Sequence, residues 1–181
     1  LTSMRKNTLL LLTLACAISA SAKVNIHETL NMELFHFWRG FASAKTVTFV
    51  NDLSFSDKND HFFVGVWGAV SVTGNYREFD YYLAYNYKGL TVSLWDYFDF
   101  SPGAYDNPEA YKIFNYNCHT TAHALDFCID YFFGDKVPLK LSWNTILWGG
   151  DRGLNKQGKE VQRYSTYVEA SYKVVENDKF I

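Results

Sequence analysis

An all-β fold, an antiparallel meander of about eight strands, follows from three features of this sequence. Polar and apolar residues alternate in segment after segment. Turn-forming residues separate the segments. No stretch carries the ~20 consecutive apolar residues of a spanning helix. Residues 76–87 show the alternation best. One parity reads Tyr76, Glu78, Asp80, Tyr82, Ala84, Asn86; the other reads Arg77, Phe79, Tyr81, Leu83, Tyr85, Tyr87. Neighbouring side chains of a strand point to opposite faces, so one face is acidic and wet and the other aromatic and aliphatic.

The N-terminus reads as an export leader. Met4-Arg5-Lys6 is a positive start, an apolar run follows, and Ala20-Ser21-Ala22 is an A-x-A cleavage site. Residues 1–22 are therefore expected to be removed, leaving one domain over 23–181. Leu1-Thr2-Ser3, upstream of Met4, reads as foreign to the natural protein. Cys16 raises a lipoprotein alternative, but Thr13-Leu14-Ala15 matches a lipobox poorly.

Strands are expected at 33–40, 46–56, 62–72, 76–87, 90–100, 120–133, 139–149 and 164–175. Several approach the ~9–11 residues of a tilted membrane strand. The turn signals are Thr73-Gly74-Asn75, Lys88-Gly89, Gly134-Asp135 with Pro138, and the glycines of 149–158. The first segment is the least regular, because Leu34, Phe35, Phe37 and Trp38 occupy both faces. Elsewhere the register is well specified, since a slip of one residue would turn each face inside out. Short and long connections alternate, as in barrels with short periplasmic turns and longer outer loops. The 73–75 turn fits that rule badly.

Export plus alternation predicts a transmembrane β-barrel in the bacterial outer membrane, apolar towards lipid and polar inside. The aromatic content of 18 % agrees with girdles at both membrane interfaces. Trp38, Arg39, Trp95 and Trp148 are the expected interface anchors. The polar parity supplies the candidate lumen lining: Asp52, Glu78, Asp80, Asp126, Asp130, Lys140, Glu169 and Lys173. Acid predominates there, so a pore would favour cations. A net charge of -2 without a basic stripe gives no sign of a nucleic-acid partner. Outer-membrane lipid and small polar solutes are the expected partners. A soluble periplasmic β-sandwich would show the same alternation with the apolar faces turned inward.

Chemistry-bearing motifs are sparse. His119 and His123 flank Thr120-Thr121-Ala122, and His123 shares the apolar parity with Thr121. That invites an outer-membrane lipid-enzyme reading, yet no G-x-S-x-G motif and no orienting acid is recognisable. As a metal pair they fare worse, because four residues along a strand separate the rings by ~13 Å. No catalytic residue, cofactor or metal site is assigned. Cys118 and Cys128 are read as unpaired thiols, although an oxidising compartment permits a disulfide.

Several motifs occur in a fixed order: Phe37-Trp38-Arg39-Gly40, Val64-Gly65-Val66-Trp67-Gly68, Tyr76-Arg77-Glu78-Phe79-Asp80, Asp96-Tyr97-Phe98, Phe114-Asn115-Tyr116, Thr121-Ala122-His123 and Tyr164-Ser165-Thr166-Tyr167. Together this set resembles the TorF-like porin family of Bacteroidetes and proteobacterial outer-membrane β-barrels, over residues 33–175. The resemblance implies an outer-membrane barrel with a passive transport role, and no catalytic residues. Family members run longer and end in a strand with a terminal aromatic residue, so a C-terminally incomplete barrel is expected. A structural or adhesive barrel without a pore is the alternative.

Overall fold

The computed structural model describes residues 23–174. The expected leader (1–22) and residues 175–181, with the end of the last expected strand, lie outside the described residues. The strands are β1 (Val24–Glu33), β2 (His36–Trp38), β3 (Phe41–Ala44), β4 (Thr48–Asp57), β5 (Phe62–Ser71), β6 (Arg77–Tyr87), β7 (Leu90–Phe98), β8 (His123–Phe132), β9 (Leu139–Gly149), β10 (Arg152–Leu154), β11 (Glu160–Gln162) and β12 (Thr166–Tyr172). Eight of them form one antiparallel sheet in the order β1-β4-β5-β6-β7-β8-β9-β12. β2–β3 and β10–β11 are small hairpins inserted between neighbours of that meander. A single 3-10 turn, Pro108–Tyr111, is capped by Asn107.

The first strand of the sheet corrects one expectation. It is β1, ahead of the predicted 33–40 segment. Val24, Ile26, Leu30 and Met32 face one way, and Asn25, His27, Thr29 and Asn31 the other. Residues 34–40 instead turn away from the sheet into the β2–β3 hairpin. Its two-residue tip, Arg39-Gly40, has φ of 48° and 81°. Positive φ at both central positions is the turn that matches strand twist. Lys88-Gly89 joins β6 to β7 in the same way, with φ of 46° and 84°.

The two ends of the sheet differ. One end carries the short connections 58–61, 88–89 and 133–138, together with the start of β1 and the end of β12. The other carries 34–47, 99–122 and 150–165. The 72–76 turn is the one short link at that long-loop end. Among the described residues β1 is hydrogen-bonded only to β4, and β12 only to β9. The sheet therefore has two free edges.

Burial is inverted relative to a water-soluble sheet. The parity carrying Thr48, Ser54, Ser56, Ser93, Asp126 and Ser142 is buried. The parity carrying Phe55, Phe62, Val64, Leu83, Trp143 and Val168 is exposed, Leu83 at 57 % and Val168 at 69 %. The enclosed side is called the inner face below.

Gly65 lies on that inner face, opposite Tyr82. A Cβ on Gly65 would sit 2.4 Å from the Tyr82 ring. The ring cannot swing away freely: it stacks on Trp95 at 4.2 Å, and its hydroxyl donates to Asp52 at 2.9 Å. Overpacking of this kind costs ~1–3 kcal/mol. Gly65→Ala is expected to lose that much stability and to shift tryptophan emission as Trp95 loses its stacking partner. Unchanged emission and stability would show that the ring has room to spare.

Candidate functional site

All the charged residues expected to line a lumen that belong to named strands share the inner parity, and most have partners there. Asp52 accepts from the Tyr82 hydroxyl at 2.9 Å. Glu78 accepts from the Tyr76 hydroxyl. Asp80 is buried and accepts from the Phe98 backbone N–H at 3.0 Å. Asp130 receives Ser142 Oγ at 2.5 Å and Lys140 Nζ at 3.0 Å. Glu169 accepts from the Tyr167 hydroxyl at 2.7 Å and from Ser171. Lys173 follows β12 at the short-turn end.

Asp126 lies towards the long-loop end of this face. Its side chain is 0 % exposed and pairs with Arg39, itself 9 % exposed. Tyr97 Oη and Cys128 Sγ each donate to the same carboxylate oxygen at 3.3 Å. A buried carboxylate holds its charge only when paired and hydrogen-bonded in this way.

Arg39 arrives from the β2–β3 hairpin, which lies across the inner face. Near the hairpin base, His36 packs on Trp67 of β5 and on Tyr76, both at 5.3 Å between ring centroids. Near its tip, Trp38 meets Tyr97 of β7 edge-on at 5.8 Å. The Arg39 guanidinium lies over Trp38 at 4.6 Å and 5.9 Å from the Tyr167 ring of β12. One hairpin thus touches strands from both halves of the sheet.

These contacts relocate three of the residues expected to be interface anchors. Trp38 and Arg39 pack onto the inner face, and Trp95 lies there between Tyr82 and Tyr97. Each has a polar or aromatic partner inside that outweighs a place in an outer belt. Trp148 lies at the long-loop end of β9, with Tyr116 at 6.1 Å.

His123 turns out to have the acid that the sequence did not reveal. Its Nδ1 is 2.8 Å from Asp96 Oδ1. Its Nε2, however, faces the Ile113 carbonyl at 2.9 Å rather than a hydroxyl. The ring is fully buried, stacked between Phe98 at 4.5 Å and Tyr116 at 4.3 Å. It pins the 99–122 connection against β7 and β8. His119 has a separate role, with Nδ1 2.5 Å from Glu160 Oε2. Cys118 and Cys128 are both free thiols.

The His119–Glu160 contact ties two long connections together and gives a pH-dependent expectation. The hydrogen bond from His119, and then the pairing with Arg152 at 3.1 Å, hold the Glu160 carboxyl below its ordinary value. The folded value is the lower one. The contribution is therefore complete above the ordinary Glu range of ~4.3 and is lost as pH falls through the folded value. Hydrogen-exchange protection in 99–122 and 150–165 is expected to fall on acidification in that window. Glu160→Gln should show the lower protection already at neutral pH. Equal protection in the variant would remove this tie from the account.

Comparison with protein-family models, with curated proteins and with solved structures gives no match to this chain, so the arrangement above stands on its own geometry.

Proposed function

We propose that this chain is an outer-membrane β-barrel protein of the occluded, structural kind, with a surface formed by the long connections. The inverted burial carries this reading. Exposed phenylalanine, leucine and valine on one parity, with buried serine, threonine and aspartate on the other, suits a wall between lipid and a polar interior. A soluble sandwich would bury the first set against a second layer, and none of the described strands covers it. The end asymmetry adds support. Most short links lie at one end of the strands together with the start of β1 and the end of β12, as on a periplasmic side, and the long connections lie at the other.

The interior argues for occlusion rather than an open pore. An eight-stranded barrel is just wide enough for side chains to fill it. Trp67, Tyr82, Trp95 and Tyr97 crowd the inner face together with the hairpin, which supports a packed interior. The porin-like reading survives as a second state of the same wall.

Fractionation of the full-length gene product, with heat-modifiable gel mobility, tests the proposal. Outer-membrane recovery with a mobility shift on boiling is the expected result. Recovery in the soluble periplasm would overturn it. In planar bilayers the unmodified protein should be almost silent; steady large conductance would favour the open-porin reading instead.

A further inference from the structure

We propose that the β2–β3 hairpin is a releasable plug on a cation path along the inner face, with Arg39–Asp126 as its latch. The inference rests on the outer-membrane reading above and adds what would regulate the interior and which solutes it would pass.

Three observations carry it. The first is how the hairpin is held. Its inward side makes all the contacts described for Trp38, Arg39 and His36, whereas Phe37 on its other side is 64 % exposed and Phe41, paired with Trp38 beside the tip, is 70 % exposed. The hairpin is thus gripped on one side only, and the charged contact at its tip is buried. It belongs to the long 34–47 connection, so it can lift without breaking a ladder bond of the eight-stranded sheet.

The second is the distribution of bulk. Below the hairpin the inner face carries the small side chains Ser54, Gly65, Ala84, Ser93, Cys128 and Ser142, with Phe63, Phe132 and Lys140 nearer the short-turn end. Tyr97 and the hairpin's own Trp38 and Arg39 lie towards the long-loop end. Part of the bulk at the long-loop end is therefore the hairpin's own and would leave with it.

The third is charge. Arg39 is the cation placed against Asp126, towards the long-loop end of the inner face. When the hairpin withdraws, that positive charge leaves with it. Asp126 itself, Asp52, Asp130 and Glu169 remain, against Lys140 and Lys173. A lining with that excess of carboxylates favours small cations over anions.

The experiment reconstitutes the full chain in planar bilayers, with heat-modifiable mobility recorded for every variant. Arg39→Ala combined with Asp126→Ala removes the latch without stranding a buried charge. It is expected to raise open probability about tenfold or more over the unmodified protein, as a shift between two states. The opened state should prefer potassium to chloride. Arg39→Lys keeps a cation at the tip and should stay near the unmodified level. A second variant, with 35–43 replaced by a short glycine-serine link, should be open whatever the state of Asp126. Silence of both the double variant and the hairpin-free variant, with the heat shift intact, would overturn the plug while leaving the barrel standing. Anion preference in the opened state would overturn the cation path. Loss of the heat shift in the unmodified protein would bring down the outer-membrane reading, and the plug with it.

Discussion

Arg39→Ala alone is expected to destabilise the folded protein by about 3–5 kcal/mol, the cost of leaving a buried carboxylate without its ion partner. Asp126 has no solvent exposure, and one of its oxygens, Oδ1, has no hydrogen-bond partner among the described residues. Removing the guanidinium leaves only Tyr97 and the weak Cys128 donor on the other oxygen. Both sit too far from Oδ1 in this geometry to serve it as well. The stacking of Arg39 on Trp38 is lost too, worth ~0.5–2 kcal/mol depending on desolvation. Denaturant unfolding in lipid vesicles, followed by tryptophan emission, measures the loss. Asp126→Ala in the same chain should return much of it, because the stranded charge then disappears. Such a return separates the charge from the packing; equal losses in the single and double variants would mean that packing alone holds the hairpin.

Much of the sheet was legible in the sequence, because its signal is local. Residues 139–149 coincide with β9, and the expected segments at 46–56, 62–72 and 76–87 fall within two residues of β4, β5 and β6 at either end. Parity also grouped the inner carboxylates on one face before any coordinates. The first strand was misplaced for a physical reason. Apolar density at Leu34, Phe35, Phe37 and Trp38 resembles a buried strand, whereas the real β1 has Glu28 interrupting its apolar parity. Glu28 is tolerable there because β1 is an edge and Asn51 on β4 lies 3.5 Å away.

The site was less legible because its contacts are long-range. Arg39 and Asp126 are 87 residues apart, and His123 and Asp96 are 27 apart. No spacing rule links such pairs. One local signal did exist for the hairpin: Arg39-Gly40 between Trp38 and Phe41 offers a tight turn, in the way that Lys88-Gly89 was read. The acid beside His123 had no equivalent signal, since Asp96 lies on a different strand and is brought close only by the β7–β8 register.

Leu83→Arg is expected to cost about 2–4 kcal/mol in lipid, the penalty for an arginine on the lipid face near the bilayer midplane. The position is well chosen for a decision between solvents. Leu83 lies mid-strand in β6, 57 % exposed, among Phe55, Val64 and Leu94 on the same face. Were this face in water, a substitution there would fall within ±0.5 kcal/mol, as exposed positions generally do. The sign of the packing argument is the same in both cases; only the solvent differs. Phe114→Arg supplies the internal reference. Phe114 is 85 % exposed but sits in the 99–122 connection, beyond the end of β7. A wall that meets lipid only along its strands predicts a large loss at Leu83 and almost none at Phe114, read from the same unfolding curves in vesicles. Equal small effects at both would place the apolar face in water.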